Sequence, residues 1–251
     1  MTVLCSARLS GSGQMAMRHK PVAIVVAMRR ELAPLLHGRQ PSTTGAIEVF
    51  ELETAVIAVG GIGREAARRA AGILLEKYSP AAMVSVGIAG ALTAGLKVGD
   101  IVHARDVVDA DSSERWAAGG EDGTIVTVSS VSGESEKRNL AQRWRADVVD
   151  MEASAVAQIA KANGIEFAAV KAISDELEFT MPPVGRFVND AGKLRTVRFV
   201  AYLASHPKWW GAVRRLDRNS REAAVKLSEA LRHLIDQWSQ IDLKQSKVEA
   251  R

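Results

Sequence analysis

The chain has 251 residues, 47% hydrophobic and 25% charged, which is the balance of a globular protein able to bury a sizeable core. Its single cysteine, Cys5, excludes an internal disulfide and any multi-cysteine metal site, and its five histidines are scattered without ligand spacing, so no metal and no cofactor is expected. The net charge of +4 is uneven: 13 Lys and Arg face 6 Asp and Glu from Lys193 onward, leaving 20 basic and 23 acidic residues before it, a balance that argues against a nucleic-acid partner for the main body.

Residues 1–20 read as a disordered leader without the apolar core of a secretion signal. No run of the chain approaches bilayer-spanning length, so a cytoplasmic location is expected. Residues 21–251 read as a single domain ending in a helical, basic tail over about 205–251. Residues 22–27, V-A-I-V-V-A, form a continuous apolar run suited to a strand buried on both faces of a parallel sheet. It leads into M-R-R-E-L, which places Met28 and Glu31 at the start of a short helix beyond the strand's carboxyl end. Residues 37–44 are loop-like, and residues 47–52 and 55–59 read as a strand pair.

The second of these strands enters G-G-I-G-R-E-A-A, a glycine turn opening a long amphipathic helix. Gly61, Gly63 and Ala66 satisfy a dinucleotide-binding spacing, but the next strand, residues 82–86, ends in G-I-A-G-A-L with no acid to hold a ribose. A close backbone approach is therefore preferred to NAD binding, with Gly87 and Gly90 letting a ligand lie against the main chain beside Ala89. Residues 96–111 read as a strand pair turning at Gly99 and Asp100, and Asp106, Asp109 and Asp111 as a solvated rim rather than a calcium loop. A strand at residues 124–128, the loop 129–133 and a polar helix near residues 136–145 follow.

Next comes the stretch on which the reading turns. V-V-D-M-E-A-S-A-V-A is a short strand running into a helix, and F-A-A-V-K-A-I-S-D-E is a strand ending in acids. Glu152 and Asp175 thus join Glu31 just past strand carboxyl ends, the edge of an open α/β sheet at which ligands bind. Each acid has a structural role open to it, Glu152 offsetting a helix dipole and Asp175 closing a turn. Together they make a crevice with acids, which by itself names no substrate; were the bond an N-ribosyl one, an acid would protonate the departing base, a second group would activate water, and a third would favour the cationic sugar. Alternating strands and helices imply a three-layer α/β/α sandwich around a mixed, mainly parallel sheet.

A-M-x-x-E-L, G-G-I-G-R-E-A-A, V-G-I-A-G-A-L with L-K-V-G-D-I-V, V-D-M-E-A-S-A-V-A and V-K-A-I-S-D resemble, in order, the blocks of the purine nucleoside phosphorylase and nucleosidase superfamily. Within it they are most similar to 5′-methylthioadenosine/S-adenosylhomocysteine nucleosidases. The resemblance implies that Asp175 protonates adenine N7, that Glu31 acts on water, that Met151 and Glu152 hold the ribose, and that Ser174 positions the acid. It further implies a small adenine nucleoside as partner, with Met28, Ala89 and Gly90 among the binding residues, a homodimer and no metal. Ile88 stands where these nucleosidases carry serine, and Lys171 where they carry arginine, both near the nucleophile. The tail and G-E-S-E-K-R-N-L-A look more like the hopanoid-associated phosphorylases, which release adenine from adenosylhopane. Phosphate as nucleophile is accordingly one rival, with Lys171 and Arg64 as cations, and a non-catalytic nucleoside- or NAD-binding module is another.

The tail pairs tryptophans with arginines and carries Ala224, Leu227, Leu231, Leu234, Ile235 and Trp238 at helical spacing. Such a face suits weak contact with a membrane surface or packing on the sheet or a second subunit, and packing is preferred.

Overall fold

The structure, a computed structural model, describes residues 20–130, 133–180, 182–187, 189 and 195–249. The leader expected over residues 1–20, apart from Lys20, lies outside the described residues. The chain runs from β1 (Val22–Val26) through a 3-10 turn (Arg29–Leu32) to α1 (Ala33–Leu36), then β2 (Ser42–Thr44), β3 (Ile47–Glu51) and β4 (Ala55–Val59). It continues with α2 (Arg64–Tyr78), β5 (Ala82–Ala91), β6 (Ile101–His103), β7 (Asp106–Asp109), β8 (Arg115–Ala117) and β9 (Thr124–Thr127). The remainder comprises α3 (Glu134–Trp144), β10 (Val148–Asp150), α4 (Ala153–Ala162), β11 (Glu166–Asp175), α5 (Thr196–Ala204) and α6 (Trp210–Glu249), with 3-10 turns at Val184–Phe187 and Pro207–Trp209.

Among the described residues eleven strands form one mixed sheet in the order β2-β3-β4-β1-β5-β10-β9-β7-β8, with β11 pairing β5 and β6. Parallel pairings join the central strands β4, β1, β5 and β11, and antiparallel ones lie at β2-β3-β4, β5-β10, β6-β11 and β7-β8. Successive side chains of a strand point to opposite faces, so β1 serves two cores at once. Ala23 and Val25 pack with Ala67, Ala70 and Leu74 of α2 and with Val156 of α4, whereas Ile24 and Val26 pack with Leu227, Leu231 and Ile235 of α6. This two-sided burial is why V-A-I-V-V is apolar throughout. The sheet with helices on both faces is the expected layered α/β architecture.

Three local expectations are corrected. Residues 42–44, read as loop, form the exposed edge strand β2 on β3, because ladder pairing uses backbone groups and needs no apolar pattern. The strand predicted over residues 82–86 runs on to Ala91, so Gly87, Ile88, Ala89 and Gly90 belong to β5 rather than to a turn after it. β6 and β7 do not pair with each other; β6 joins β11, and β7 lies between β8 and β9. The apolar stripe of the tail packs on the sheet, the alternative preferred above: Ala224, Leu227, Leu231 and Ile235 are buried, while the Trp238 side chain lies outside the described residues.

Candidate active site

At the carboxyl ends of β1, β5, β10 and β11 the chain opens a cleft enclosing about 950 Å³ of space continuous with solvent. Of the residues singled out in the sequence, Met28, Glu31, Ile88, Ala89, Gly90, Met151, Glu152, Ser174 and Asp175 line it. Its apolar walls are completed by Ile62, Val149, Val184 and Leu216, and its polar lining by Arg30, Ser130 and Ser220. Ser130 belongs to the loop 129–133, residues 131 and 132 of which lie outside the described residues.

Glu31 sits in the 3-10 turn that follows β1 and is 3% exposed. Its Oε2 has no hydrogen-bond partner among the described residues. A β-carbon at Gly87 would stand 2.9 Å from that oxygen and 3.7 Å from Lys171 Nζ, so the missing side chain at Gly87 is what admits both charged groups. Burial, and then the charge of Glu152, push the Glu31 carboxyl up to about 8, against the opposing pull of Lys171 and Arg30.

Glu152 precedes α4 without capping it. Its Oε1 accepts the Gly63 N–H at 2.8 Å and its Oε2 accepts the Met151 N–H at 3.3 Å. The glycine turn before α2 therefore serves the cleft through a backbone donor. Burial and the neighbouring Asp150 raise Glu152 to about 7. The capping role falls to Asp150, whose Oδ2 accepts the Ala153 N–H at 2.9 Å and whose Oδ1 accepts the Thr127 hydroxyl at 2.7 Å.

β11 slips its register against β5 between Ile173 and Asp175, a bulge that turns the end of the strand toward the cleft. The Ser174 hydroxyl lies 2.7 Å from Asp175 Oδ1 and 3.2 Å from the Ala89 carbonyl. Asp175 Oδ2 accepts from Lys137 Nζ at 2.5 Å, and the same ammonium donates to the Glu176 carbonyl at 2.6 Å. Lys137, on α3, is fully buried; it lies within the G-E-S-E-K-R-N-L-A block but is not named there as a site residue. Here again glycine makes room: a β-carbon at Gly90 would fall 2.9 Å from Asp175 Oδ2.

Lys171, expected near the nucleophile, faces Glu31 across Gly87 but does not itself line the cleft. It lies beneath the cleft floor, 1% exposed, bound to Asp150 at 2.9 Å and to the Ser85 hydroxyl at 3.0 Å. Its pKa is raised, burial being outweighed by Asp150 and Glu152. Arg64 is likewise engaged: its Nη1 contacts both oxygens of Asp109, at 2.8 and 3.0 Å, and its Nη2 contacts Asp111. Asp109 and Asp106 are buried and bonded rather than a solvated rim. Burial alone would raise Asp109, but bonds from Ser154, the Ser112 N–H and Arg64 hold it well below the usual carboxylate range. Arg105 and Arg115 occupy Asp106 in the same way. No group of three His, Cys, Asp or Glu suited to a metal ion is found among the described residues.

A family model described as the phosphorylase superfamily matches residues 21–119 and 120–203. The 5′-methylthioadenosine/S-adenosylhomocysteine nucleosidase of Actinobacillus succinogenes is 29% identical over 195 residues, 61% of this chain and 85% of that protein. Among solved structures, a Helicobacter pylori MTAN mutant with 5′-methylthioadenosine in the active site superimposes with a TM-score of 0.67 at 16% identity, covering 87% of this chain and 99% of that one. Futalosine hydrolase of Helicobacter pylori gives 0.66 at 16% identity over 87% and 98%. At these identities the structural likenesses establish the fold.

Proposed function

The chain belongs to the phosphorylase superfamily and is an enzyme of the nucleosidase or phosphorylase type; from that premise we propose that it hydrolyses the N-ribosyl bond of 5′-substituted adenine nucleosides of the methylthioadenosine and S-adenosylhomocysteine class. The observation that carries this reading is the convergence of Glu31, Glu152 and Asp175 on one mainly apolar cleft. In it Asp175, steadied by Ser174, passes a proton to a ring nitrogen of the departing base, which takes up the electron pair of the broken C–N bond. Lys137 Nζ, 2.5 Å from Asp175 Oδ2, fixes the direction of the carboxyl group. Glu152 accepts hydrogen bonds from the ribose hydroxyls and favours the cationic sugar, with Met151 against the sugar face. Glu31 takes a proton from water as the water oxygen bonds to the anomeric carbon. A homodimer and a cytoplasmic setting belong to the same proposal.

The rival nucleophile is phosphate. Arg30 on the cleft wall favours it, but the two cations first considered for that role, Arg64 and Lys171, are each held by acids. Adenine release from methylthioadenosine, measured with and without phosphate, separates the two: strict dependence on phosphate overturns the hydrolase. Asp175→Asn is expected to lower kcat by roughly 10²–10⁴-fold while a nucleoside still binds. Unchanged turnover would remove Asp175 from the acid's role.

A further inference from the structure

The cleft wall opposite the sheet comes from α6, and there Ser220 stands out. Its side chain is 93% buried by its 7% exposure, yet its Oγ meets no hydrogen-bonding atom among the described residues. Serine within a helix ordinarily returns its hydroxyl to the carbonyl four residues back, and Ser220 does not. The one other acid or hydroxyl oxygen of the cleft left in this state among the described residues is Glu31 Oε2. Both residues line the main cleft, and both line a smaller hollow beside it, shared with Ile88 and opening toward Asp217 and Arg221. Two buried oxygens without partners, facing a common space, are matched by a small group that can bond to both at once.

We propose that Ser220 positions the attacking water against Glu31, a role that rests on the hydrolase reading above. Water meets the requirement because it donates twice: one O–H to Glu31, which takes that proton as the oxygen bonds to the anomeric carbon, and the other to Ser220 Oγ. The lone pair is thereby turned toward the sugar. Ile88, which borders both spaces, offers only carbon and leaves the direction of the water to the two oxygens. The hydroxyl thus reaches the nucleophile from α6, more than a hundred residues along the chain from Ile88.

The same helix carries its own control. Ser228, two turns further on, is fully buried and equally without a partner, but it lines neither space. Steady-state kinetics of adenine release from methylthioadenosine, together with thermal melts, should be measured for Ser220→Ala, Ser220→Thr and Ser228→Ala. Ser220→Ala is expected to lower kcat by about tenfold, the worth of one lost hydrogen bond, with KM within twofold and an unchanged or higher Tm. Ser220→Thr, which keeps the oxygen, should retain most of the activity, and Ser228→Ala should match the wild type. A Ser220→Ala kcat within twofold of the wild type, or an equal loss in Ser228→Ala, overturns the role of Ser220 while leaving the hydrolase reading intact. A wild-type chain that releases no adenine overturns both.

Discussion

Glu31 shows how burial sets both the chemistry and the stability of a single residue. Its ordinary carboxyl value is 4.5, and in the fold it is pushed up to about 8, chiefly by burial. Below 4.5 the group is neutral whether folded or unfolded. As pH rises from 4.5 to about 8 the unfolded chain ionises there while the buried carboxyl keeps its proton, so stability is lost across that window. Glu31→Gln, which cannot ionise, is expected to melt several degrees above the wild type at pH 8, and the gap should close as the melts are repeated toward pH 4.5. Turnover should move the opposite way. A base must be ionised to accept a proton, so kcat/KM of the wild type should climb with pH toward a plateau above about 8. A rate that is flat or falling between pH 6 and 8 would remove Glu31 as the base.

Strand β5 is the element on which the cleft is built. Its amino-terminal half is clamped between β1 and β11, and its carboxyl-terminal half switches to antiparallel pairing with β10. Two glycines in it hold open the spaces that Glu31 and Asp175 fill. Gly90→Ala would set a methyl group 2.9 Å from Asp175 Oδ2, which is already tied to Lys137, and 3.2 Å from Val149. The carboxylate is the part that must give, because the strand backbone is fixed by ladders on both sides. A loss of kcat of at least tenfold with a modest change in Tm is therefore expected, read by kinetics and melts on one preparation. The bulge at the end of β11 works alongside: it breaks the regular register of the strand and sets Asp175 opposite Gly90.

At the scale of the molecule, α6 couples the core to the cleft. Leu227, Leu231 and Ile235 close the hydrophobic layer over β1, β4, β5 and β11, while Leu216 and Ser220 on the same helix form a wall of the cleft. Leu227→Ala removes a fully buried side chain and is expected to cost about 2–5 kcal/mol. For a chain of this size that lowers Tm by roughly 2–4 °C per kcal/mol. Because the helix also forms a wall of the site, KM should rise with the loss of stability. A Leu227→Ala protein that melts lower but keeps the wild-type KM would show that the cleft does not depend on how the helix is seated. Among the described residues of the tail, Arg214, Arg215 and Arg218 are exposed.

What the sequence determined by itself is what local pattern encodes. The all-apolar V-A-I-V-V marked a strand buried on both faces, the spacing of Leu227, Leu231 and Ile235 marked a packed helix, and the ends of those elements showed Glu31, Glu152 and Asp175 at one edge of a sheet. The five ordered motifs were enough to show the family. Left to the tertiary structure were the partners: Lys137 on Asp175, 38 residues away; Lys171 on Ser85, 86 away; Gly63 on Glu152, 89 away. Local periodicity reports which face of an element is buried, and it is silent on what that face meets. A lone lysine in a polar helix reads as solvated until the fold places a carboxylate against it. The aspartate at 109 was misread for the same reason, since nothing nearby in the sequence announces Arg64 and Ser154, each 45 residues away, that bind it. Ion pairs and hydrogen bonds between distant segments depend on the folded path of the chain, and only that path brings the two halves of each pair within reach.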